Sequence, residues 1–373
     1  LHFTNALNIL YHLLLKHHER QKLKHIMDYY NILSFDNDAV CTTELECSPY
    51  IMLNVDENMF RQFSPRKIFP FNQLPVNSLD FSQDGSVLAT GSDDDSIYLY
   101  DCCLGIKKGL VSCKKYGVDH VRYFPLSTAV VHASTKVDDS VRYLSLEENN
   151  YIRYFTGHTK KVTALCMNGH DNTFLSCSED KSIRLWDIRS SNCHGYIETC
   201  GIPVSSYDPG GEHFAIACSP GDIALYDRRE FDKGAFAEFS LYNSDRSTVF
   251  YDLKFSPDGS TILISAYGGM FYLIDAYTYR LMFTFTLQPF MQGFNPVRVE
   301  ATYTPDSAFV ICGSLHGWLY CWNCNTGQLS FSLPVGTKNA HEEAIRCVRF
   351  NHAYAVIATA GVKTVLWSPL NFG

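Results

Sequence analysis

Residues 157–189 read GHTKKVTALCMNGHDNTFLSCSEDKSIRLWDIR, and the rest of the chain repeats this unit less perfectly. It opens on Gly157-His158 and closes on Trp186-Asp187. Between them lie three short segments rich in β-branched and apolar residues, Val162 to Met167, Thr173 to Cys177 and Ser182 to Trp186. Apolar runs this short, bounded by turn residues, are strands rather than helices.

A unit that begins Gly-His, ends Trp-Asp and holds three strands between is a WD repeat, one blade of a β-propeller. Its polar residues form a chain. His158, in the loop entering the inner strand, is expected to bond Asp180 in the tight turn before the third strand. A strand hydroxyl, Ser178 by first choice and Ser176 as the alternative, joins them to the indole N–H of Trp186. Buried polar groups need partners, and here each supplies another. A Ser-His-Asp set also has the composition of a catalytic triad, but the repeat already accounts for the spacing, so these residues are assigned to architecture.

Outward from this unit, the same closing position recurs at Tyr100, Leu144, Trp186, Tyr226, Ile274, Trp322 and Trp367. The intervals of 44, 42, 40, 48, 48 and 45 residues match a four-stranded blade. Seven copies predict seven blades. The seventh stops directly after its third strand, so its outer strand must come from elsewhere, and the orphan strand Phe63 to Phe69 is the expected donor. Pairing the two ends in this way removes an open sheet edge. Truncation through Phe69 is then expected to destabilise the whole domain, and removal of residues 1–55 is not. Most copies depart from the ideal: the first has Asp94 six residues before Tyr100 but no Gly-His, and the fifth has Gly268 in place of the Asp.

The fold class is therefore all-β, a seven-bladed propeller over residues 59–373 closed by an N-terminal strand. Residues 1–58 form an extension that reads as helical or disordered. Its apolar stripe, Leu7, Leu10 and Leu14 with Ile9 and Leu13, precedes a basic stretch from Lys16 to His25. That stripe is too short to span a membrane, and the charges follow it where a signal peptide would place them in front. Five of the chain's fourteen histidines fall within the first 25 residues; they read as a solvated helix face rather than a metal site.

Composition narrows the function. Of 373 residues 46% are hydrophobic and 14% aromatic, ample for a buried core. A net charge of −8 argues against broad binding of a nucleic-acid backbone. Fourteen cysteines, mostly in strand-like segments, read as buried thiols of a reducing compartment. Cys321-x-x-Cys324 has no second pair at zinc spacing, and its Trp322 occupies the repeat's own Trp position. No phosphate-cradling glycine loop, paired catalytic carboxylates or histidine cluster stands in the repeats, so neither an enzyme nor a cofactor is expected.

Blade-specific stretches carry a closer likeness. KKYGVD (114–119), DDSVRYLSL (138–146), YIRYFTGH (151–158), DKSIRLWDIRSSNC (180–193), FDKGAFAEF (231–239) and EATYTPDSAFVICGS (300–314) resemble the WD repeat-containing protein 82 family over roughly residues 60–370. That resemblance implies a non-catalytic nuclear adaptor in a COMPASS-type complex, whose SET-domain subunit methylates lysine four of histone three. It further implies a link to transcribing RNA polymerase II through the polymerase's phosphorylated C-terminal tail. Relatives of this kind also serve in a protein phosphatase 1 complex and in transcription termination.

Two sets of residues are candidates for partner contact. The loops entering the inner strands and those between second and third strands share one face of a propeller, and on blades 2 and 3 they carry Lys114, Lys115, Lys136, Lys160, Lys161 and Lys181. A phosphorylated tail would be drawn there and gain charge-assisted hydrogen bonds. Interleaved Asp119, Asp138, Asp139, Glu179 and Asp180 speak for an ordinary solvated face instead. The second set is Trp186-Asp187-x-Arg189, echoed by Tyr226-Asp227-x-Arg229. It resembles the motif by which some propellers join cullin-type ubiquitin ligases as substrate receptors, with Arg189 as the adaptor contact.

Overall fold

The computed structural model describes residues 55, 57–125, 127–241, 248–287, 298–333 and 343–369. These build seven four-stranded antiparallel sheets. Six are simple meanders in chain order, such as blade 3 with strands Val162–Met167, Thr173–Ser178, Ser182–Asp187 and Cys193–Glu198. The seventh combines Cys347–Phe350, Ile357–Ala360 and Thr364–Pro369 with the N-terminal strand Phe63–Phe69. The last pair is antiparallel, with Phe63 opposite Pro369 and Phe69 opposite Thr364. Closure by the orphan strand, read from the missing fourth strand of the last repeat, is therefore the observed arrangement.

Sheets stacked face to face bury both faces of their inner strands. Asp119–Tyr123 and Pro203–Tyr207 are buried at every position, whereas the outer strand Asn150–Phe155 alternates between exposed and covered residues. The apolar core is accordingly divided among the seams between blades. Leu79, Leu88 and Tyr100 of blade 1 meet Phe69, Ala358 and Leu366 of blade 7, and Phe155 of blade 2 meets Phe174 and Trp186 of blade 3. At the seam of blades 6 and 7 the cluster also takes in Val55, Met59 and Phe60, from the short helix Glu57–Phe60 and the residues before it. The Val55 N–H donates to Asp306 Oδ2 at 2.8 Å. The packed unit thus reaches back at least to Val55, ahead of the sequence-based boundary at Met59, and a cut after residue 55 removes a core side chain. The helical reading of the leucine stripe and basic stretch lies outside the described residues.

Tight turns between second and third strands need one residue in the left-handed region. Blade 5 supplies Gly269 (φ 69°) and blade 6 Gly317 (φ 74°), but blades 1, 2 and 3 use Asp95 (φ 63°), Val137 (φ 72°) and Lys181 (φ 63°). A β-branched side chain there is a steric outlier. Val137 is 78% exposed, so packing does not offset the strain. Left-handed backbone costs about 1–2 kcal/mol for such a residue, against about 0.5–1 kcal/mol of chain entropy lost with glycine. Val137→Gly is expected to raise the urea midpoint by a few tenths to about 1 kcal/mol equivalent; a lowered midpoint would contradict the strain argument.

Candidate functional site

In blade 3 the polar chain is assembled from two strands, the loop entering the blade and the turn between those strands. His158 Nδ1 donates to Asp180 Oδ2 at 2.9 Å, and His158 Nε2 lies 2.7 Å from Ser176 Oγ, which also accepts the Trp186 indole N–H at 2.8 Å. The hydroxyl in the chain is therefore Ser176, and the first choice from sequence, Ser178, is corrected. Both point to the same face of one strand, but register separates them. Phe174 is opposite Trp186, which puts Ser176 one step from the indole, while Ser178 is opposite Ser182 at the turn. There Ser178 donates to the Lys160 carbonyl at 2.8 Å and accepts the Asp180 N–H at 3.1 Å.

The protonation states follow from these surroundings. Burial alone would raise the Asp180 carboxyl, but hydrogen bonds from Ser182, His158 and the Thr159 N–H override it and hold it at about 2. Burial pulls His158 below its ordinary value against the pull of Asp180. This histidine is a neutral donor in a structural chain.

Blade 2 rewrites the same positions. Arg142 donates through both terminal nitrogens to Asp138, at 2.8 Å each, and stacks 3.7 Å from the Tyr116 ring centre, with Tyr154 at 5.3 Å. These bonds drive the Asp138 carboxyl far below the usual carboxylate range. His132 stands opposite Arg142, where Ser176 stands opposite Arg184 in blade 3. In sequence Asp138 reads only as part of a solvated face, which misses this cluster; the one signal that could have found it is the six-residue spacing from Asp138 to Leu144, which matches Asp180 to Trp186.

His132 and His120 are both buried, and burial brings each down to about 4, in His120 against the attraction of Asp119. A folded value below the unfolded one means that the unfolded chain binds protons that the fold refuses. Stability is then full above about pH 6.5 and is lost as pH falls toward 4. At pH 5 each histidine is expected to cost about 1 kcal/mol or more. Urea midpoints at pH 7 and pH 5 check this, with the difference shrinking in His132→Gln.

The six lysines are not equivalent. Lys136 Nζ is paired with Asp95 of blade 1, and Lys161 Nζ with Asp119 at 3.1 Å. Lys115 Nζ lies 4.8 Å over the Tyr116 ring. Lys114, Lys160 and Lys181 are exposed and enter no side-chain ion pair among the described residues. Arg189 is 73% exposed, yet its guanidinium is held by its own neighbour, with Nε 2.9 Å from Asp187 Oδ1 and Nη2 2.5 Å from Oδ2. Arg229 likewise pairs with Glu212 at 2.9 Å. A partner using either arginine must compete with a carboxylate already in place.

Seven four-stranded sheets in a closed ring, the third of them carrying the His-Asp-Ser-Trp chain, define this molecule as a WD-repeat β-propeller protein. The family model for the WD domain, G-beta repeat, matches residues 63–101 and 149–187, the second running from the outer strand of blade 2 through the first three strands of blade 3. The chain is 42% identical over 314 residues to WD repeat-containing protein 82 of Drosophila melanogaster, covering 84% of this chain and 96% of the fly protein. It is 30% identical over 296 residues to COMPASS component SWD2 of Saccharomyces cerevisiae, covering 77% and 88%. Set1 complex component swd2 of Schizosaccharomyces pombe is 36% identical over 204 residues, covering 54% and 57%. The chain belongs to the WD repeat-containing protein 82 family.

Proposed function

We propose that this protein is a non-catalytic adaptor subunit of a nuclear COMPASS-type histone methyltransferase complex, and that it links the complex to phosphorylated RNA polymerase II. The observation that carries the first half is the 42% identity along 96% of the fly protein together with relatives named as a COMPASS component and a Set1 complex component. The match runs over 314 residues and so extends through the blades. The fold supports the same reading: a rigid ring displays many loops on one face, which suits simultaneous contact with several proteins.

The second half rests on charge. Lys114, Lys115, Lys160 and Lys181 occupy neighbouring loops of blades 2 and 3 without a side-chain carboxylate partner among the described residues, in a protein of net charge −8. A phosphorylated serine carries about two negative charges and would gain charge-assisted hydrogen bonds there. The cullin-ligase alternative is weaker because Asp187 already occupies the Arg189 guanidinium.

Affinity purification of the full chain from nuclear extract, with and without phosphatase treatment, tests both halves. A SET-domain methyltransferase and polymerase are expected in the untreated sample, and phosphatase is expected to remove the polymerase alone. Lys114→Glu with Lys115→Glu should do the same without phosphatase. Recovery of cullin-ligase subunits with no methyltransferase would sink the proposal.

A further inference from the structure

The inner strands line a partly open cavity of about 220 Å³ on the axis of the ring. Its wall is lopsided. Arg122 of blade 2, Lys254 of blade 5, Arg298 before blade 6 and Arg349 of blade 7 line it with cations. Blades 3 and 4 contribute only small or neutral groups, Ala164, Cys166, Ser205 and Ser206 among them, and these leave the room. The carboxylates on the wall number two, Asp80 and Asp252.

Both carboxylates lie beside a donor, and Asp252 Oδ2 is buried with an ion pair but no formed hydrogen bond. Asp252 pairs with Lys254 at 3.0 Å, and Asp80 accepts the Tyr123 N–H at 2.8 Å. Glu300, fully buried and outside the lining, holds Arg298 at 3.3 Å and Arg122 at 3.9 Å. The ion pair of Arg349 to Asp80 is stretched to 3.8 Å, which leaves the Arg349 charge loosely met. Burying guanidinium groups costs several kcal/mol each unless their charge is met, and here four cations line one cavity against two wall carboxylates and Glu300 behind them.

We propose that this cavity is a binding site for a small oxyanion of the phosphate or sulfate class, held by Arg298 and Arg349. The cationic wall supplies attraction, and the small side chains of blades 3 and 4 set the size. The site is separate from the lysine loops of the proposed function and does not depend on that reading.

Calorimetric titration of the full chain with inorganic phosphate, in chloride buffer of constant ionic strength, tests it. Saturable one-site binding is expected, with a rise in Tm that chloride at equal ionic strength does not give. Arg349→Gln is expected to weaken binding by about tenfold or more through loss of charge-assisted bonds. Ala164→Leu, which fills the cavity and touches no charge, is expected to abolish it, so the proposal stays testable if the arginine variant misfolds. Lys114→Gln with Lys115→Gln should bind as the unaltered chain does. Absence of saturation in the millimolar range, or binding that survives Ala164→Leu and vanishes with the surface lysines, overturns the assignment.

Discussion

A chain shortened to begin at Pro70 will not give a cooperatively folding protein. The cut removes Phe60, Phe63 and Phe69, which are 1%, 5% and 5% exposed. Each such side chain contributes about 1.5–3 kcal/mol by burial. Phe60 packs against Phe309, Phe331 and Phe63 with ring centres 5.5, 4.8 and 5.6 Å apart, so its loss opens the seam between blades 6 and 7 as well. The sum approaches the whole stability of an ordinary domain, about 5–15 kcal/mol. The strand Thr364–Pro369 would also become an unpaired edge carrying Val365 and Trp367, an invitation to aggregate. Circular dichroism and urea unfolding of the shortened chain beside the full one decide the matter. A cooperative transition at an unchanged midpoint would show that closure by the N-terminal strand is dispensable.

Trp186→Ala is expected to cost about 3–5 kcal/mol. The indole is fully buried, with ring centres 5.5 Å from Phe155 and 6.3 Å from Phe174, and it fills the seam between blades 2 and 3. Its removal leaves a cavity and also takes from Ser176 the donor it accepts. Ser176→Ala isolates the second effect: it strands the Trp186 N–H and His158 Nε2 in a dry interior, for about 1–3 kcal/mol. Ser178→Ala removes only turn bonds at the edge of the blade and should cost less. Urea midpoints of the three variants test the ranking, and Ser178→Ala costing more than Ser176→Ala would reverse the assignment of the hydroxyl.

The number of blades and the way the ring closes were legible because they are written in local, repeated chemistry. Each repeat carries its own closing aromatic or aliphatic residue, turn residues and short strands, so position in the chain maps directly onto position in the ring. The family was legible too, in stretches such as EATYTPDSAFVICGS that a generic repeat does not require.

The sequence by itself determined what depends on spacing along one repeat: seven copies, a missing fourth strand in the last, and a polar chain joining His158, Asp180 and Trp186. Tertiary structure alone decided whatever depends on which residues meet across strands and blades. Ser176 and Ser178 lie two apart on one strand face, where periodicity cannot rank them, and only the pairing with Trp186 does. Lys136 looked like a bare charge until the fold set it against Asp95 of the neighbouring blade. Arg122, Lys254, Arg298 and Arg349 lie far apart in sequence, and only closing the ring turns them into one cationic wall. Local propensity acts over a few residues, whereas electrostatic pairing acts over a few ångströms; closing the chain into a ring is what makes the two distances different.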